Sequence, residues 1–182
     1  LGDEKQGSWV EEEYGEVDLG DERLNRRLLE IVKRLSENSQ GSLPAASQDP
    51  AMLKAIYRFF DNEYIEPKDL LCGHIAATYK RMGQEKLVLA PNDTCLLDLS
   101  THKTTEGLGP LGSEKQQGLL MHNTVAFTEE GLPLGILSQW VWARDAESFA
   151  QLEDHKARPI EEKESYKWIR SLEAANLARK YC

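Results

Sequence analysis

Asp93 is the carboxylate with the most chemical promise in this chain. It follows the apolar run Leu87-Val88-Leu89-Ala90, which reads as a buried strand that delivers Asn92 and Asp93 at its C-terminal end. An aspartate on the rim of a sheet is a standard holder of a hard cation such as Mg²⁺, which takes oxygen ligands and keeps several waters. Turn chemistry is the commoner use of an aspartate after a strand, so the position alone leaves both uses open. Asp98 lies five residues on and reads as a structural cap or turn.

Other reactive side chains form no recognisable constellation. His74, His102, His122 and His155 show no HExxH or paired spacing; His74 falls on a helical pattern and His122 in a strand, where packing and a satisfied hydrogen bond are expected. Cys72, Cys95 and Cys182 are too far apart for a paired metal motif and suit reduced thiols in a cytosol, with Cys95 expected to fill space. Gly107-Leu108-Gly109-Pro110-Leu111-Gly112 matches GxGxxG literally. It does not lead from a strand straight into a helix, it contains Pro110, and no acidic ribose partner follows, so dinucleotide binding is rejected.

The cations are unevenly placed. The formal charge is 22 minus 31, or −9, and residues 1–22 carry nine acids and one lysine. An acidic balance counts against nucleic acid as a partner. Residues 23–34, however, hold Arg23, Arg26, Arg27, Lys33 and Arg34 against the single acid Glu30. Such a stretch is either a solvated helix face or a grip for phosphate. Arg58 sits among aromatics in Ala55-Ile56-Tyr57-Arg58-Phe59-Phe60, where a guanidinium packs structurally or reaches a phosphate.

Helices must position these cations. Asp21 is an expected N-cap, after which Leu24, Leu28, Ile31, Val32 and Leu35 share one face until turn residues 38–42. A second helix starts at Asp49 with Pro50 at its first position and carries Leu53, Ile56, Tyr57 and Phe60 inward. A third has Pro67 in its first turn and runs toward Gly83. From Lys86 the pattern changes to strands: the run 87–90, a glycine-rich loop 100–118, then runs 119–127 and 132–142 joined by a hairpin turn at 128–131. Trp140 and Trp142 alternate with Val141 and so face one side, suited to core or interface packing. Pro159 opens a last helix whose Ser165, Trp168, Ile169, Leu172 and Ala175 share a face.

The whole is an α/β chain: an all-helical unit at 1–66, then an α/β unit at 67–182 with a three-stranded start. At 182 residues with 40% hydrophobic and 29% charged side chains, the composition is that of a soluble globular protein. No apolar stretch reaches the roughly 18 to 20 residues of a membrane span, and no secretory signal is expected at the N-terminus.

Four blocks carry a resemblance. The runs LGDERLNRRL at 19–28, AIYRFFDN at 55–62, Asp93-Thr94, and EKESYKW at 162–168 together resemble the cut-and-paste DDE transposases of bacterial insertion sequences, in their transposon-five-like branch. The similarity runs from about Trp9 to the end of the chain. It implies a helical DNA-binding domain followed by an RNase H-like catalytic domain, with double-stranded transposon ends as partner. It also implies Mg²⁺ as cofactor, a cytoplasmic location, and a homodimer in the synaptic complex of the full-length protein. By the same resemblance Arg23, Arg27 and Arg58 match DNA-contacting arginines, Arg26 has no sure counterpart, and Asp93 matches the first catalytic, metal-holding aspartate.

Three departures stand out. Cys95 replaces the second threonine of the usual Asp-Thr-Thr. Pro91 sits where a strand residue is expected, at the cost of one ladder hydrogen bond. The second aspartate and the glutamate are expected beyond Cys182, which makes the RNase H-like part incomplete, an N-terminal fragment inactive by itself. The alternative is a standalone DNA-binding protein or transposition inhibitor without catalysis.

Overall fold

Residues 3–113, 115–146 and 158–181 are described by the structure, a computed structural model. They divide into two units, Leu1–Ala77 and Thr78–Cys182. The division falls inside the third of the expected helices rather than before it at Glu66.

In the first unit, α1 (Asp3–Tyr14) precedes α2 (Glu22–Glu37). Asp21 caps α2 as its composition predicts, accepting from the Arg23 backbone N–H, and Asn38 closes it. Leu28 and Ile31 are buried, with Leu24, Val32 and Leu35 packed partly against them. A short α3 (Leu43–Ser47) leads into α4 (Pro50–Phe60), which is capped by Asp49 through the Met52 N–H at 2.8 Å. The buried stripe of α4 is Met52, Ile56 and Phe59, whereas Tyr57 and Phe60 are about half exposed and Leu53 is half-buried. This corrects the expected face. Lys54 and Arg58, one turn apart, mark the solvent side of PAMLKAIYRFF, and the apolar residues opposite them are Met52, Ile56 and Phe59, which share a core with Leu28 and Ile31.

Helix α5 (Pro67–Met82) follows. Its Gly73 lies against α1, where an added Cβ would stand 2.6 Å from the Glu13 carbonyl oxygen. At the next residue, His74 Nδ1 pairs with Glu13 Oε2 at 2.6 Å.

The second unit is built on β4 (Gln117–Thr128), flanked by β5 (Pro133–Trp142) on one side and by β1 (Val88–Leu89) and β2 (Asn92–Asp98) on the other, all antiparallel; β3 (Gly109–Pro110) also bonds to β4. β1 and β2 share one register: Leu89 faces Phe127 and Asn92 faces Thr124. They are one strand interrupted at Pro91, whose carbonyl still accepts from Val125 N–H at 3.0 Å but which has no N–H to return. The first strand therefore runs on to Asp98, and Leu87 and Leu89 are about half exposed rather than buried.

Alternate residues of β4, from Gly118 to Thr128, are buried and their neighbours half-buried, the period of a sheet with one covered face. The hairpin turn at 128–131 is where the composition places it, closed by Gly131 N–H on the Thr128 carbonyl at 3.0 Å, with Gly131 at φ +88°. The last helix departs from expectation. Pro159 opens a 3₁₀ turn at Ile160–Glu162, and α6 (Tyr166–Ala178) starts later. Lys167, Ser171 and Ala178 are its buried residues, while Trp168, Ile169 and Leu172 are exposed. The inward face of α6 is polar because its partner is His122: Nε2 meets Ser171 Oγ at 2.9 Å and Nδ1 meets Thr94 Oγ1 at 2.8 Å. Arg144 reinforces this end of the unit with two hydrogen bonds to Glu164, at 2.7 and 2.9 Å, and a third to the Leu111 carbonyl. Those bonds hold the Glu164 carboxyl below its usual range.

Candidate nucleic-acid interface

The helical propensity and caps of α2 and α4 set two cations on each helix one turn apart. Arg23 and Arg27 rise from α2, Lys54 and Arg58 from α4, each pair at i, i+4 and so on one face. The four line a single groove of about 500 Å³, whose floor includes Leu24, Ala55 and Phe59. Arg23, Arg27 and Arg58, far apart in sequence, are thus brought together. Lys54 was not singled out from the sequence; its spacing from Arg58, equal to that of Arg23 from Arg27, is the signal that could have found it.

The cations differ in how they are held. Arg27 Nη1 donates to Glu30 Oε2 at 2.7 Å and lies 3.7 Å from Met52 Sδ, so its stem is fixed and part of its charge is offset. Arg23 is 83% exposed and only loosely paired with Asp21 at 3.4 Å. The Asp21 carboxyl is lowered from its usual range by the Arg23 backbone N–H and then by the Arg23 charge. Lys54 and Arg58 are exposed and make no ion pair among the described residues. A groove with two cations that lack an ion pair among the described residues, one loosely paired guanidinium and one restrained guanidinium over an apolar floor is suited to phosphate oxygens. Arg26 is exposed and lies outside the groove lining, and Arg34 donates to Gln48 Oε1 at 2.7 Å.

Asp93 lies elsewhere. It is the second residue of β2, not the end of a strand, and pairs with Asn123 on β4, which pairs in turn with Gln139 on β5. The three form a row across the sheet on the face opposite His122, where Asp93 is exposed. Its Oδ1 accepts from Thr94 N–H at 2.7 Å, and Asn123 Oδ1 accepts from Gln139 at 3.0 Å. Asp93 thus offers one accessible carboxylate to a Mg²⁺ ion, which needs few protein ligands. Among the described residues no group of three His, Cys, Asp or Glu side chains could hold a metal, so these residues do not build a two-ion centre.

The remaining candidates are structural. Asp98 accepts from Ser100 N–H at 2.9 Å and Oγ at 2.5 Å, contacts that lower its carboxyl from the usual range. Cys95 is an exposed free thiol rather than a space filler. Trp140 and Trp142 stack with centroids 4.3 Å apart, and Arg170 lies over Trp140 at 4.6 Å. Gly109 of the rejected GxGxxG run abuts the Arg144 backbone, where a Cβ would meet the carbonyl oxygen at 2.0 Å. His155 and Cys182 lie outside the described residues.

Comparison with known families bears on the groove directly. Residues 6–65 match the transposase DNA-binding family model. The match spans α2 through α4 and all four groove cations, and it supports a transposase N-terminal region with a DNA-binding role and DNA as partner. No curated protein matches the chain. No helix among the described residues is long and apolar enough to cross a membrane.

Proposed function

We propose that the chain carries the end-recognition domain of a cut-and-paste DDE transposase of the transposon-five-like insertion-sequence branch, followed by the opening strands of an RNase H-like domain. The convergence of Arg23, Arg27, Lys54 and Arg58 in one groove, inside the matched residues, carries the reading. These side chains would straddle the backbone of a transposon-end duplex, Lys54 as a point charge and the arginines as planar forks. The antiparallel β2, β4 and β5 followed by α6 support the RNase H-like part.

Asp93 would be one of the carboxylates that hold Mg²⁺, which when bound polarises a phosphoryl oxygen and activates a water or 3′ hydroxyl. A homodimer would form in the synaptic complex. The exposed thiols Cys72 and Cys95 suit the reducing cytoplasm.

Fluorescence anisotropy of the whole chain with a labelled transposon-end duplex, over a salt series, tests the groove. Arg58→Ala should weaken binding by about 1 to 3 kcal/mol if the residue reads bases, or flatten the salt slope by about one unit if it holds a phosphate. Asp93→Asn should leave binding unchanged while abolishing Mg²⁺-dependent cleavage in a protein that supplies the remaining carboxylates. Duplex binding unaffected by Arg23→Ala, Lys54→Ala and Arg58→Ala, with folding intact, would remove the groove from the account. Binding without cleavage in every longer form would favour the inhibitor reading.

A further inference from the structure

The connection from β2 to β4 is tied at both feet. Ser100 Oγ donates to Asp98 at 2.5 Å and accepts from Gln117 N–H at 3.0 Å, and Leu99 N–H donates to the Gln117 carbonyl at 2.9 Å. Two turns, closed by His102 N–H on Leu99 O at 2.8 Å and Thr105 N–H on His102 O at 3.0 Å, then curl the outgoing limb. They leave a concavity of about 210 Å³ whose polar lining includes His102, Lys103 and Thr105 from one limb and Lys115 and Gln117 from the other.

Among the described lining residues the charged side chains are both lysines. Lys103 and Lys115 come from opposite limbs and make no ion pair among the described residues. No carboxylate lines the concavity among the described residues: Asp98 is turned to Ser100, and Glu106 of the same loop lies outside the lining. The volume is below the roughly 300 to 1,000 Å³ of pockets that enclose drug-sized ligands, so a small anion fits where a whole nucleotide does not. Lysine ammoniums acting as point charges beside hydroxyl and amide donors favour a tetrahedral oxyanion.

We infer that the concavity lined by His102, Lys103, Thr105, Lys115 and Gln117 is a phosphate-binding site, separate from the groove between α2 and α4 and outside the residues that match the transposase DNA-binding family. Its ligand is a phosphate group, either a backbone phosphate of nucleic acid or a free phosphate or phosphomonoester. The inference does not depend on the groove's role.

Nuclear magnetic resonance of the whole chain tests it, with the His102 imidazole signal assigned by its loss in His102→Gln. Titration with inorganic phosphate and, separately, with a short duplex should move that signal saturably. The Lys103→Gln/Lys115→Gln double variant should weaken the response at least about tenfold, since each charge-assisted contact contributes a comparable factor. Both lysines are exposed, so the fold is expected to survive, and unchanged backbone spectra verify it. Response to duplex alone assigns the ligand to a nucleic-acid backbone; response to inorganic phosphate alone assigns it to a free phosphate. Persistence of the duplex response in Arg23→Ala/Arg58→Ala separates this site from the groove. No saturable response to either ligand, or one indifferent to the double variant, overturns the inference even where anisotropy shows the chain bound to DNA.

Discussion

Two side chains act through what surrounds them. Lys54 has no ion-pair partner among the described residues, so Lys54→Ala is expected to lower the salt slope of duplex binding by about one unit, measured by anisotropy. Arg27→Ala should do more than remove a charge, because it also frees the Glu30 carboxylate that Arg27 holds. His122 offers a different test. Burial holds its imidazole below the usual range and the Lys167 charge adds to this. As pH falls below the ordinary value near 6.5, the unfolded chain takes up the proton first. The His122 contribution is therefore full above about pH 6.5 and is lost from there down through the lowered folded value. Urea melts of the second unit, followed by tryptophan fluorescence, should show lower stability at pH 5.5 than at 7.5. The part due to this group should vanish in His122→Phe, at a fixed cost of about 1 to 3 kcal/mol for leaving Thr94 and Ser171 unpaired.

Caps and close approaches decide how well the elements hold. Asp21→Ala and Asp49→Ala remove side-chain acceptors from the first turns of α2 and α4, and each should cost about 0.5 to 2 kcal/mol by denaturant unfolding, with reduced DNA affinity because both helices bear the groove cations. At Gly118 the backbone of β4 lies against that of β2: a Cβ there would stand 1.9 Å from the Leu97 carbonyl oxygen. Gly118→Ala must push the strands apart, and a loss of about 1 to 3 kcal/mol is expected. Hydrogen exchange should register it as faster exchange at Leu97, Asp98 and Gly118, with α2 and α4 unchanged.

At the scale of the molecule, the charge of −9 and the basic groove act in opposite directions on DNA. Counterion release gives a slope of about −0.9 per phosphate neutralised, so the four groove cations alone account for a slope no steeper than roughly −3.6. The Arg27 and Glu30 pair should make it shallower still. A measured slope well beyond that limit, reduced by Lys103→Gln/Lys115→Gln, would mean that the concavity lined by Lys103 and Lys115 engages the same duplex.

Much of this protein was legible in its residues taken one after another. Asp21 and Asp49 marked helix starts because a short acceptor followed by helix formers leaves little alternative, and the strands at 119–127 and 132–142 were marked by their apolar runs and the turn between them. The basic patch at 23–34 stood out against an acidic chain, and the matched residues 6–65 contain it. Other features depended on partners distant in sequence. The inward side of α4 was marked by Lys54 and Arg58 opposite it, yet Leu53, Tyr57 and Phe60 offered a second apolar row beside the stripe, which packing on Leu28 and Ile31 set aside. The buried side of α6 is polar because His122 awaits it, and no periodicity of α6 records that. The first strand looked short because Pro91 breaks its hydrogen bonds but not its register, a distinction that only β4 makes, and Asp93 moved from a strand end to mid-strand with it. Lys54 joined the groove for the same reason: local spacing places cations on a helix, whereas the packing of one helix on another decides which of them share a site.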